Sequence, residues 1–191
     1  MVHGLKKLLG ILLSCILFAA LTAVTAAQAQ SGERGATERQ VKAAYLHKFA
    51  SYIEWPEGSF AGAESGLVIG VVGADALSEE LERLVAGRSI NGHPIVVRRI
   101  RRGDSISGIH ILFLGRMDKP ALLEFLGAAK GMPMLTVSES DEAHALGSMI
   151  NFRLAEERMR FEVALKPVGQ SRLKISARML AVAYKVEPGS S

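Results

Sequence analysis

Two short runs, Leu67-Val68-Ile69-Gly70-Val71-Val72-Gly73 and Ile109-His110-Ile111-Leu112-Phe113-Leu114-Gly115, are apolar at nearly every position and end on glycine. A strand with one wet face alternates apolar and polar residues, so uninterrupted runs suit strands covered on both faces, as in the middle of a parallel sheet. A helical pattern follows each. In the first, Ser78 is placed to cap a helix whose apolar face is Leu77, Leu81, Leu84 and Val85. The second spans Lys119 to Lys130, with Leu122, Leu123, Phe125 and Leu126 apolar and Gly131 as its stop. Pro94 to Ile100, after an Asn91-Gly92 turn, and Pro133 to Ser138 read as two further strands.

Ahead of the first strand, Val41, Tyr45, Phe49 and Ile53 recur every four residues with Leu46 and Ala50 beside them. That spacing makes one apolar stripe of an amphipathic helix, with Lys42, Lys48 and Glu54 off the stripe. Thr37 and Gln40 have the spacing of a capping box, and Pro56 stops the helix. Glu57 to Gly66 reads as a loop. Asp141 to Ala145 gives a short helical turn ended by Gly147.

The last third changes period. Met149–Leu154 and Met159–Leu165 alternate apolar and polar about a turn at Glu156-Glu157, as an antiparallel pair with one wet face does. Leu173, Ile175, Met179, Leu180, Val182 and Ala183 line a closing helix. Strand–helix alternation followed by a hairpin predicts an α/β fold: a three-layer αβα sandwich with a mixed, mainly parallel sheet and a C-terminal antiparallel hairpin plus helix.

Lys6 and Lys7 precede an uncharged run from Leu8 to Ala27 that closes on Ala27-Gln28-Ala29. This is the pattern of a secretory signal cut after Ala29, with a retained membrane anchor as the competing reading. The expected organisation is a signal over 1–29, a flexible lead over 30–36, a single domain over 37–186 and a tail over 187–191. Cys15, the only cysteine, falls in the signal, so the exported chain carries no disulfide and is held by its core alone. The formal charge of +4 includes the two signal lysines. The mild excess that remains does not indicate a nucleic-acid binder.

No catalytic constellation emerges from the pattern. Gly70-Val71-Val72-Gly73-Ala74-Asp75 lacks the G-x-G-x-x-G spacing of a dinucleotide loop. Gly103 to Gly108 precedes a strand, where a nucleophile elbow must follow one. His47, His93, His110 and His144 sit on separate elements without metal-ligand spacing, so neither metal nor cofactor is expected. His110 reads as a hydrogen-bonded core residue. Arg98, Arg99, Arg101 and Arg102 read as a solvated sheet end or as a patch for an acidic partner. Trp55 either plugs the base of the core or supplies contact area to a partner.

Several of these stretches share an order and spacing with one family. Val41-Lys42-Ala43-Ala44-Tyr45-Leu46-His47-Lys48-Phe49 with Glu54-Trp55-Pro56 resembles the opening of the periplasmic YfiR proteins. Asn91 to Arg98, His110 to Leu114, Leu135 to Ser138, Gly147 to Phe152, Arg158 to Val163 and Leu173 to Leu180 are similar to later family patterns. The resemblance implies a periplasmic, often dimeric α/β protein that is not an enzyme. It restrains an inner-membrane diguanylate cyclase by binding its periplasmic sensor domain. An OmpA-like outer-membrane lipoprotein can sequester such a repressor, which raises cyclic-di-GMP and promotes biofilm formation. Where relatives carry disulfide cysteines, this chain aligns Gly70, Ile109, His144 and Asn151, so thiol-based control is not expected. The expected partner contacts are His47, Trp55, Asn151, Arg153, Arg160, Glu162 and Arg178. A second reading is a periplasmic small-molecule-binding module serving a membrane receptor or transporter, with its pocket near Gly73–Asp75 and Gly115–Arg116.

Overall fold

The computed structural model describes residues 34–62 and 64–189. The expected signal at 1–29 and residues 30–33 lie outside the described residues. The elements are α1 (34–52), β1 (Ile53–Glu54), β2 (Leu67–Val72), α2 (Asp75–Val85), β3 (Ser89–Ile90), β4 (His93–Ile100) and β5 (Ile111–Leu114). They continue with α3 (Lys119–Ala129), β6 (Leu135–Ser138), β7 (Ile150–Ala155), β8 (Arg158–Ala164), α4 (Leu165–Gln170), β9 (Lys174–Ile175), α5 (Ala177–Ala181) and β10 (Lys185–Glu187).

Among the described residues one sheet has the order β10-β8-β7-β6-β5-β2-β4-β3. Its centre is parallel, from β7 through β6, β5 and β2 to β4. β7–β8 and β3–β4 are antiparallel, and β10 runs parallel to β8. The two glycine-ended apolar runs are adjacent central strands, as their two-sided hydrophobicity requires. Ile111 and Phe113 face one core with Leu46 and Phe49 of α1 and Leu77 and Leu81 of α2. Leu112 and Leu114 face the other, with Leu122, Phe125 and Leu126 of α3. The αβα sandwich with its mixed sheet is therefore the fold. Gly115 belongs to this tight centre: a Cβ there would lie 2.7 Å from the carbonyl oxygen of Gly73.

Five local expectations are corrected. Thr37 lies inside α1, which is helical from residue 34, so the capping box does not form. Lys42, expected off the buried stripe, is only 7% exposed. Ser78 does not cap α2, whose N-cap is Ala74; it is buried within the helix, where its hydroxyl bonds Glu82. Residues 141–147 form turns without a helix. The closing helix does not form as one element. Its residues divide among β9, the short α5 and the approach to β10, because backbone pairing with β1 and β8 draws the chain out of helical geometry.

The β7–β8 hairpin has the expected turn, but Glu156 and Glu157 both take positive φ, 51° and 59°. Two left-handed residues make the twist-matched hairpin turn, which favours Asn-Gly because a Cβ in that region is costly. Replacing Glu156-Glu157 with Asn-Gly is expected to stabilise the chain by about 1 kcal/mol. The change is read as a higher denaturant midpoint at unchanged slope.

Candidate functional site

The seven residues named from sequence fall into three places. His47 is half-buried on α1; burial first, then the charges of Arg88 and Lys48, hold its pKa below the ordinary histidine value. Trp55 and Arg178 flank the β1–β9 ribbon, in which Ile53 pairs with Ile175 and Glu54 with Lys174. A backbone bond from Ser176 N–H to the Tyr52 carbonyl ties that ribbon to the end of α1. Asn151, Arg153, Arg160 and Glu162 share one face of β7–β8, where Asn151 is opposite Glu162 and Arg153 opposite Arg160.

That face is not uniformly wet. Asn151 and Glu162 are each 5% exposed, and the turns over 141–147 bring His144 against Glu162. Glu162 is held from two sides. Arg153 Nη1 donates to its Oε1 at 2.9 Å, and His144 Nε2 lies 3.8 Å from its Oε2. The His144 ring is oriented by its Nδ1, 3.1 Å from the Ser148 carbonyl. Arg153 itself remains exposed and Arg160 is half-buried, so the accessible part of this face is cationic over a buried carboxylate.

Trp55 is half-buried and its indole Nε1 is enclosed without a partner among the described residues. The indole edge meets the His110 ring at 5.5 Å. Phe60 lies between two imidazoles, 3.8 Å from His93 and 4.3 Å from His110, nearly parallel to both. His110 is the hydrogen-bonded core residue expected: Nδ1 accepts the Val68 N–H at 3.1 Å, and Nε2–H donates to the Ser59 carbonyl at 3.1 Å. Burial holds its pKa below the ordinary value, against the Ser59 bond that raises it, and His93 lowers it further. A cleft of about 310 Å³ opens beside this cluster, lined by Ile53, Trp55, Phe60, Leu67, Ile90 and His93 among others. Sequence reasoning missed the cluster, since Phe60, His93 and His110 meet only through the pairing of distant strands.

The arginine run ends as a solvated sheet end. Arg99 reaches Glu79 and Glu82 of α2, and Arg102 pairs with Glu124 of α3. Gly70 and Ile109 are in contact: a Cβ on Gly70 would lie 2.7 Å from Ile109 Cδ1. Among the described residues no group of three or more His, Cys, Asp or Glu is arranged to hold a metal, and no helix is long and apolar enough to cross a membrane.

The sequence matches the model of the YfiR/HmsC-like family (DUF4154) over residues 39–184, from within α1 to the residue before β10. The chain belongs to the YfiR/HmsC-like family. No curated protein matches it closely enough to be named. YfiR-like proteins are periplasmic regulators of diguanylate cyclase, and family membership places this chain in that theme. The match runs through all three places at which the candidate contact residues lie, and through the Phe60–His93–His110 cluster.

Proposed function

We propose that this protein is exported to the periplasm and represses an inner-membrane diguanylate cyclase by binding its periplasmic sensor domain, so lowering cyclic-di-GMP and biofilm signalling. The observation that carries this reading is the family match across the folded domain. A folded domain of this kind acts by binding one state of its partner better than another, which requires no chemistry of its own. The contact surface combines the two ends of the β1–β9 ribbon, one marked by Trp55 and the other by Arg178, with the accessible arginines of the β7–β8 face. An OmpA-like outer-membrane lipoprotein is the competing partner, and the repressor works as a homodimer.

The test is capture from detergent-solubilised inner membrane by the chain from residue 30 onward. The expected catch is a protein with a periplasmic sensor loop and a cytoplasmic cyclase domain. Arg160→Glu is the cleaner probe of the hairpin contact, because Arg153 also holds the buried Glu162. It is expected to weaken capture roughly tenfold and to change its salt dependence, as charges at an interface do. Unchanged capture by a folded Arg160→Glu variant removes the hairpin from the contact surface.

The ligand-module reading has one observation in its favour. A cleft of about 280 Å³ lies at the carboxyl ends of β5 and β6, lined by Arg116, Lys119, Glu139 and Ser140 among others. It does not extend to Gly73–Asp75, since the Gly115 and Gly73 backbones close on each other there. Recovery of a transporter subunit in place of a cyclase would favour this second reading.

A further inference from the structure

The Phe60 cluster has chemistry that neither reading of the function uses. The ring is held between two imidazoles whose nitrogens each fix a backbone group of the same connection. His93 Nδ1 lies 2.7 Å from the Ser65 carbonyl, and His110 Nε2–H donates to the Ser59 carbonyl. The Pro56–Ser59 turn, closed by the Ser59 N–H and hydroxyl on the Pro56 carbonyl, is therefore tied to the sheet through His110. On its other side His110 accepts the Val68 N–H, near the start of central strand β2.

This arrangement accepts only one protonation state. In the neutral ring Nδ1 is an acceptor and Nε2 a donor, and both are used. An imidazolium has two donors, so its Nδ1–H would point at the Val68 N–H, donor against donor, in a site 4% exposed. The elements packed around the ring offer no compensation. β4 brings His93, whose field already disfavours the charged form of His110. The Trp55–Phe60 segment brings an indole, a phenyl ring and a carbonyl. Its one carboxylate, Glu57, is exposed, and Glu54 just ahead of it is directed to Lys174 at 3.7 Å. Stacking on Phe60 attracts an imidazolium, but one phenyl ring between two such rings brings two like charges together.

We infer that the Phe60 clamp is an acid-sensitive latch: protonation of His110 sets its Nδ1–H against the Val68 N–H, so the ring leaves β2 with the Ser59 turn still bonded to Nε2–H, and Phe60 moves with it to expose Trp55 and the cleft beside it. The latch is a property of the folded chain and stands whatever the chain binds. The sign follows from burial. His110 is held below the ordinary histidine value, so its contribution is complete at and above neutral pH. It is lost as pH falls below that ordinary range.

Trp55 is the only tryptophan, so its fluorescence reports the latch directly. Between pH 8 and pH 4.5 the emission is expected to shift to the red and to become more accessible to acrylamide, with a midpoint below the ordinary imidazole value. Far-UV circular dichroism should hold through the same interval. His110→Asn supplies a non-titrating acceptor for Val68 and is expected to abolish the transition. His93→Asn removes the neighbouring charge and is expected to keep the transition but raise its midpoint. A transition unchanged in folded His110→Asn overturns the latch. If that variant does not fold, nitrogen-15 imidazole spectra of the native chain decide. Protonation of His110 together with the tryptophan change supports the latch, and a neutral His110 throughout that change overturns it.

Discussion

Phe161→Ala is expected to cost about 3–5 kcal/mol, the range for deleting a buried phenyl group whose surroundings relax only in part. Phe161 is 1% exposed, and its ring centroid lies 5.0 Å from that of Phe49 and 5.3 Å from that of Tyr45, both near edge-on. Phe152 is its cross-strand partner and stacks on Phe49 at 6.0 Å. Edge-to-face pairs of this kind add to the area they bury, so the loss falls toward the upper end of the range. Because whole domains hold about 5–15 kcal/mol, a single truncation here removes a large part of the total. The measurement is the urea midpoint followed by circular dichroism. Leu123→Ala is the control, since Leu123 is 47% exposed on α3 and its loss is expected to stay within about 0.5 kcal/mol. Comparable losses for the two variants would show that the aromatic cluster does not anchor α1 to the hairpin.

The contrast between Phe161 and Leu123 also marks what could be read from the sequence. Period decides faces well where backbone pairing is local. The β7–β8 alternation placed Phe152 and Phe161 inward and Arg153 and Arg160 outward, and the unbroken runs placed β2 and β5 at the centre. Leu123 carried the same apolar signal as Leu122 but faces water, since a stripe of four apolar residues is wider than the surface α3 covers. The C-terminal segment failed for a different reason. Leu173 and Met179 are buried, whereas Val182 is 64% exposed, so the apparent helical stripe is not one face. What decides that stretch is Ile53 meeting Ile175 and Val186 meeting Val163, pairings made across the chain that no local window contains.

The candidate site shows the same division. Alternation correctly put Asn151, Arg153, Arg160 and Glu162 on one face, and the same alternation predicted that face to be wet. Whether an outward face meets water depends on what is laid over it. Here the turns carrying His144 cover the inner half and leave the arginines outside. The two histidines around Phe60 were visible only as isolated residues. Their function as a clamp depends on β2 being flanked by β4 and β5, which brings His93 and His110 to either side of one ring.

Lys42 gives the second large effect. Its ammonium is paired with Glu139, which also accepts the Arg116 N–H at 3.2 Å. The two side chains are 9% and 15% exposed. α1 is thereby fixed to the end of β6. Removing one member of a buried pair strands the other charge in a poorly solvated place, so Lys42→Met is expected to cost about 3 kcal/mol. Replacing both members with apolar residues of similar size leaves no stranded charge. Lys42→Met with Glu139→Leu is therefore expected to recover most of that loss, since the Arg116 N–H lies where water can serve it. The exposed Arg102–Glu124 pair, whose side chains are 65% and 45% exposed, is expected to contribute little and to fade with salt. Denaturant midpoints of the two single variants and the double variant, at low and high salt, give the coupling energy of Lys42 with Glu139. A large coupling that persists at high salt is the expected result. Additive losses would mean that Lys42 acts through its aliphatic stem packed in α1, and that α1 is held by its apolar stripe alone.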